Sequence, residues 1–156
     1  MIPLHPIGIV KNTRPAVEDD HWGGLISAIE LDTALGEDAL LGIEDFSHAE
    51  VLFYFDRVEA ENIETGARHP RGNPNWPKVG IFAQRGKNRP NRIGVSVAPL
   101  LGVQGRIVRV RGLDAIDGTP VLDIKPVLRE FLPRGELRQP EWTTALMREY
   151  FRKPAP

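Results

Sequence analysis

The chain has 156 residues, enough for one compact domain with a continuous core and too few for a second full domain. Its hydrophobic content of 41% is ordinary for a globular protein, and the absence of cysteine excludes disulfides, thiolate metal sites and cysteine nucleophiles. The net charge of −1 hides an uneven distribution: Met1 to Glu64 holds fourteen acidic and three basic residues, Thr65 to Leu113 holds ten Lys or Arg and no acid, and from Asp114 onward seven acids face seven bases.

Two readings follow from that basic stretch. Either it meets a polyanion, phosphate or carboxylate ligand, or its charges pair with the acidic first third. The apolar runs, such as Ala49 to Phe55, are too short to cross a bilayer, and no N-terminal leader pattern is present. The cytoplasm is therefore the expected location.

Glycine and proline punctuate short alternating or β-branched runs, which predicts a mostly β domain. In chain order, strands are expected at Ile7–Lys11, Leu25–Leu31, Glu50–Val58, Val79–Gln84, Ile93–Val97, Arg106–Arg111 and Pro120–Ile124. Seven strands favour a barrel or a sandwich. Arg109 and Arg111 share one face of their strand, which is expected to meet solvent or ligand. Between these runs, Thr33 is placed to cap a short helical turn over Leu35–Leu41. Phe46-Ser47-His48 opens the third strand, with His48 either a general base or a hydrogen-bonded structural histidine.

The segment Gly66–Lys78 carries three prolines and two glycines and is expected to be a loop. Its Trp76 is suited either to stacking on a base or to packing the loop down. Gly80–Gly94 (GIFAQRGKNRPNRIG) follows, a donor-rich turn between two short strands and the centre of the functional reading. Its arginines offer forked donors for carboxylate or phosphate, Lys87 a point charge, and Asn88 and Asn91 both donors and acceptors. Such a basic hairpin suits a charged, nucleotide-like ligand, or a plain nucleic-acid contact without catalysis.

Asp117-Gly118 is a hairpin signal, although Asp117, Thr119 and the amides near Gly118 also suit a ribose or an ammonium group. Asp123 and Lys125 share a strand face and are expected to pair. Pro140 opens a docking helix whose Trp142, Ala145, Leu146 and Tyr150 fall on one side and are read as packing residues. The domain is expected to span residues 1–152, with 153–156 a frayed tail. No metal site is expected, since His5, His21 and His69 lack ligand spacing. Neither a G-x-G-x-x-G nor a P-loop pattern occurs.

Three blocks in this order resemble a known family. Phe46-Ser47-His48 before an apolar strand, Gly80–Gly94, and Leu113–Pro126 (LDAIDGTPVLDIKP) are similar to the signatures of the TsaA-like or TrmO-type proteins. These are S-adenosylmethionine-dependent enzymes that methylate threonylcarbamoyl-adenosine beside the anticodon of certain tRNAs. With Pro6-Ile7-Gly8, the likeness extends from about Ile7 to Pro126.

The resemblance implies a mainly β protein, a small antiparallel β-barrel with a short C-terminal helix, acting as a homodimer. It implies cofactor contacts from Arg85, Asp117, Gly118, Thr119 and Pro120. It also implies contacts from Phe55, Asp56 and Arg57 at the end of the Phe46 strand, and from His21, Trp22 and Gly23 by position in an N-terminal loop. Arg85 is assigned to the cofactor carboxylate, and Lys87, Arg89, Arg92 and Trp76 to the tRNA. Asn91 is the candidate for orienting the acceptor nitrogen. Gln84, where the family usually has Thr, and Gly86-Lys87-Asn88 depart from its pattern. Those departures keep open a methyltransferase with a small-molecule acceptor, and the basic segment by itself would also suit a non-catalytic RNA-binding barrel.

Overall fold

A computed structural model describes residues 1–153 of the chain. Eight strands form: β1 (Gly8–Lys11), β2 (Ile26–Leu31), β3 (His48–Tyr54), β4 (Ala67–Arg68), β5 (Val79–Gly80), β6 (Ile93–Gln104), β7 (Ile107–Arg111) and β8 (Pro120–Pro126). Six of them close an antiparallel barrel in the order β1-β2-β7-β6-β3-β8, with β8 pairing back onto β1. The remaining two, β4 and β5, form a separate two-stranded ribbon. The expected barrel is therefore present. Closure leaves its strands without free edges.

Period-two alternation decides the interior. Along β3, Ala49, Val51 and Phe53 are buried while the residues between them are partly exposed. Val10, Ile29, Val108, Val110 and Val121 meet them from the other strands. Burial of each larger side chain contributes about 1.5–3 kcal/mol. A Cβ on Gly94 would fall onto the Phe53 ring, so this glycine admits the core's largest fully buried side chain. On β7, Arg109 and Arg111 stay exposed between buried valines, as the alternation predicts.

Several expectations change. Val79–Gln84 is not one strand: β5 stops at Gly80 and a 3-10 turn covers Ile81–Ala83. Ile81 N–H still donates to the Gly66 carbonyl at 2.9 Å, but the chain then curls as the Gln84 N–H closes on the Ile81 carbonyl at 3.2 Å. Gly80–Gly94 is accordingly no hairpin, since Gly80 pairs with Ala67 in the ribbon and Ile93 with Tyr54 in the barrel. Strand β6 runs well past Val97, pairing first with β3 and then with β7. Pro99 and a register shift between Leu100 and Gly102 mark its bend.

Asp117-Gly118 does make a turn, closed by Thr119 N–H on the Ile116 carbonyl at 3.2 Å, with Gly118 at φ 84°. The flanking strands are not partners, however, so it is no hairpin either. Instead of a helix capped by Thr33, a 3-10 turn spans Glu37–Leu40 after Gly36. The loop Gly66–Lys78 is irregular apart from β4 and a 3-10 turn at Pro70–Gly72. The C-terminal helix α1 (Glu141–Leu146) follows Pro140, which takes the N-cap position. Asp123 and Lys125 pair at 2.6 Å. Of the frayed tail expected over 153–156, Lys153 is exposed and the rest lies outside the described residues.

Candidate functional site

A cleft of about 500 Å³ opens where the end of β3 meets the start of β8, within the size range of small-ligand sites. Phe53, Phe55 and Thr119 form its barrel side. The Ala83–Lys87 turn, the Pro70–Gly72 turn, the loop through Trp22 and the C-terminal segment complete it.

The loop Val17–Trp22 is held from both sides. Trp22, only 4% exposed, packs under the Arg14 guanidinium, 3.8 Å from its ring centroid. Its indole N–H donates to the Asp19 carbonyl at 3.2 Å. The backbone amides of His21 and Trp22 donate to the Glu149 and Tyr150 carbonyls at 3.1 and 2.8 Å. His21 adopts φ 69°, an unusual conformation for a residue with a side chain. Gly23 packs against the Phe151 carbonyl so closely that no Cβ fits.

Four implied cofactor groups converge here. Arg85, Thr119, Phe55–Arg57 and Trp22 line the cleft, although they come from separate blocks of sequence. One Arg85 nitrogen donates to the Val95 carbonyl at 2.6 Å, which anchors the side chain while leaving other donors available. Asp117, Gly118, Pro120, His21 and Gly23 lie outside the lining residues. The Asp117 carboxylate accepts the Asn12 N–H at 3.0 Å, and the Asp117 and Gly118 amides donate to Arg14 and Val10 carbonyls, both at 2.8 Å. These bonds lock the end of β1. Arg57 buttresses the same corner through the Pro15 and Asp117 carbonyls.

The implied substrate residues divide similarly. Lys87 lines the cleft, whereas Arg89, Arg92, Trp76 and Asn91 do not. Arg89 donates to the Gln84 and Gly86 carbonyls, holding the turn. Arg92 donates to the Val58 carbonyl at 2.8 Å and sits 4.8 Å from the Tyr54 ring centroid. Trp76 is half-buried, its carbonyl accepting from His69 Nδ1 at 2.8 Å. Asn91 is exposed. His48 shares a 2.7 Å hydrogen bond with Ser47, away from the cleft.

Other cleft residues escaped the sequence reading. Arg68, Arg71 and Asp114 line it, and Trp142, Leu146 and Tyr150 from the C-terminal segment face it rather than only packing. Asp114 and Tyr150 had signals, one in the LDAIDG block and the other on the expected helix face, although α1 ends at Leu146 and Tyr150 lies in the turn beyond it. Nothing in their spacing announced that they meet. The Tyr150 hydroxyl donates to Asp114 Oδ2 at 2.5 Å, and burial, followed by the neighbouring carboxylate, pushes the phenol well above its ordinary range. Among the described residues, the other Asp114 oxygen and Arg68 Nε are buried without a partner.

The cleft lining mixes both charges: Arg68, Arg71, Arg85 and Lys87 come from the basic stretch, while Glu18, Asp19, Asp56 and Asp114 come from the segments on either side of it. Within the described residues, only Arg71 and Arg106 of the ten basic residues make ion pairs with carboxylates. Pairing with the acidic first third therefore accounts for little of that charge. No group of acidic or histidine residues among those described has a metal-binding arrangement, and no described helix is long and apolar enough to cross a membrane.

The profile of the tRNA-methyltransferase O N-terminal domain matches residues 18–131. The tRNA (adenine(37)-N6)-methyltransferase of Mus musculus is 43% identical over 95 residues, covering 61% of this chain and 22% of the mouse protein. An S-adenosyl-L-methionine-binding protein of Archaeoglobus fulgidus is 34% identical over 125 residues, or 78% of this chain and 86% of that protein. The crystal structure of TrmO from Pseudomonas aeruginosa superposes with a TM-score of 0.69 at 28% identity, covering 88% of this chain and 61% of that one. The chain thus spans about a fifth of its mammalian relative and under two thirds of the bacterial structure. From the length of the match and the shared barrel, this chain belongs to the tRNA-methyltransferase O N-terminal domain family.

Proposed function

We propose that the protein is an S-adenosylmethionine-dependent methyltransferase that modifies N6 of threonylcarbamoyl-adenosine beside the tRNA anticodon. The observation that carries this is the convergence of Arg85, Thr119, Phe55–Arg57 and Trp22 on one cleft in a chain of this family. The residues present fit the cofactor. Phe55, partly exposed and held edge to face on the buried Phe53 ring at 5.3 Å, offers apolar surface for a nucleoside. Basic and acidic side chains in one lining suit a ligand that carries both charges, and Arg68 Nε is a buried donor in want of an acceptor.

When bound, the cofactor supplies a methyl group on a cationic sulfur. The chain's task is then alignment of the acceptor, with little covalent chemistry of its own. Arg85 binds the cofactor carboxylate. Lys87, at the same turn, faces phosphate. Asn91 remains the candidate for orienting the acceptor nitrogen, which requires the tRNA or a loop movement to bring it to the cleft. Gln84 donates to the Arg68 and Val79 carbonyls at 3.1 and 2.9 Å. That scaffolding role gives Gln84 a use other than reading a substrate, while the Gly86-Lys87-Asn88 departure keeps a small-molecule acceptor as the second reading.

A homodimer is part of this reading. Phe131, Leu132 and Leu137 are exposed apolar side chains between the barrel and α1, and a second copy is their expected cover. Light scattering behind a sizing column tests that.

Thermal-shift titration with S-adenosylmethionine tests the cofactor: a ligand at a hundred times its Kd stabilises the fold by about 2.7 kcal/mol. No shift, together with steeply salt-dependent RNA binding, would favour the RNA-binding barrel. Mass spectrometry of tRNA nucleosides from a deletion strain tests the acceptor. Loss of one methylated threonylcarbamoyl-adenosine species supports it, and an unchanged profile overturns it.

A further inference from the structure

The segment from Glu141 to Phe151 lies beyond the residues matched by the family profile, yet it forms a wall of the cleft. Within it, Tyr150 joins three features. Its carbonyl accepts the Trp22 amide, its ring packs edge to face on Phe151 at 4.9 Å, and its hydroxyl donates to Asp114. Asp114 is thereby fixed through one oxygen, while the other is buried and takes no donor from the described residues.

A buried carboxylate oxygen without a donor is costly, so a ligand that supplies a charged N–H there gains more than an ordinary hydrogen bond. Arg71 and Arg85 line the same cleft as this carboxylate. Carboxylate and guanidinium groups around one cleft match an α-amino acid, whose ammonium and carboxylate are attached to the same carbon.

Resting on the cofactor reading above, we propose that Asp114 receives the α-ammonium group of the cofactor. Tyr150 is the positioning residue that sets the carboxylate for it, acting through Asp114 rather than touching the ligand's reacting atoms. The C-terminal segment is then part of the binding site and supplies recognition of the amino-acid end, opposite Arg85.

The test compares two ligands by calorimetry: S-adenosylmethionine and 5′-methylthioadenosine, which keeps the nucleoside and the sulfur but lacks the amino-acid end. Tyr150→Phe and Asp114→Asn should each weaken S-adenosylmethionine binding by about tenfold or more, with the affinity for methylthioadenosine unchanged. Equal weakening of both ligands means that the residues merely hold the fold, and an unaltered S-adenosylmethionine affinity means that Asp114 does not meet the ammonium. Either result overturns the proposal while leaving the cofactor reading intact. If the unaltered protein binds no S-adenosylmethionine, both fall. Tyr150→Phe keeps the ring on Phe151; should it fail to fold, Asp114→Asn carries the same comparison.

Discussion

The Arg14 guanidinium lies 3.8 Å from the centroid of the Trp22 ring, and the same side chain reaches Glu18 Oε2 at 2.8 Å and the Asp20 carbonyl at 2.5 Å. One arginine thus clamps both ends of the loop that edges the cleft. Arg14→Ala should lower the melting temperature by roughly 3–8 °C, from a cation–π contact of about 0.5–2 kcal/mol and the lost hydrogen bonds. Arg14→Lys should recover less than half of that, because an ammonium has no planar fork. Thermal denaturation of the two variants checks the prediction.

Gly94 and Gly80 bound the same sequence segment but answer to different constraints. Gly94→Ala should destabilise by about 1–3 kcal/mol, since its Cβ would overlap the Phe53 ring. Gly80 has open space around its Cβ position and φ −59°, so Gly80→Ala should be close to neutral. Urea midpoints of the two variants, side by side, decide whether the segment's glycines are there for packing or for backbone freedom.

Arg85 and Arg89 sit four residues apart with different occupations. Arg85→Ala should weaken S-adenosylmethionine binding by about tenfold or more, the loss of a charge-assisted contact. Arg89→Ala should act mainly on stability, because it removes the donor to the Gln84 and Gly86 carbonyls. Calorimetry of both variants, with melting curves, separates the two. Unchanged affinity in Arg85→Ala would sink its assignment to the cofactor carboxylate.

Stability should also depend on Tyr150 at high pH. Burial raises its phenol above the ordinary value of 10.0, so above that pH the unfolded chain loses this proton before the folded one does. The contribution is fully present below pH 10.0 and declines as the pH climbs beyond it. Denaturant midpoints measured from pH 8 upward should therefore fall more steeply past about 10 in the native protein than in Tyr150→Phe.

Local pattern and distant pairing were unequally legible in the sequence. The alternation in Val108-Arg109-Val110 gave a strand and its exposed basic face directly, because side-chain period is a local property, whereas the strand expected at Glu50–Val58 runs from His48 to Tyr54. The turn at Asp117-Gly118 was equally plain. What the sequence could not show is which strands become neighbours: a hairpin was expected at two turns, and at both the flanking strands pair elsewhere. The site followed the same division. Arg85 and Phe55 belonged to recognisable blocks, whereas Asp114 and Tyr150 meet across 36 residues through a contact that no local periodicity encodes. Arg89 and Arg92 looked like free cations only because their carbonyl partners are invisible in sequence.

The barrel's last strand ends at Pro126, and the strap that walls the cleft follows it. A ribosome releases the chain in that order, so all six barrel strands become available for closure before Trp142 and Tyr150 emerge. Until then the loop at Trp22 lacks the carbonyls of Glu149 and Tyr150 that its amides require. Completion of the cleft is thereby a late event in biosynthesis, and a nascent protein can be topologically complete while its cleft still lacks a wall.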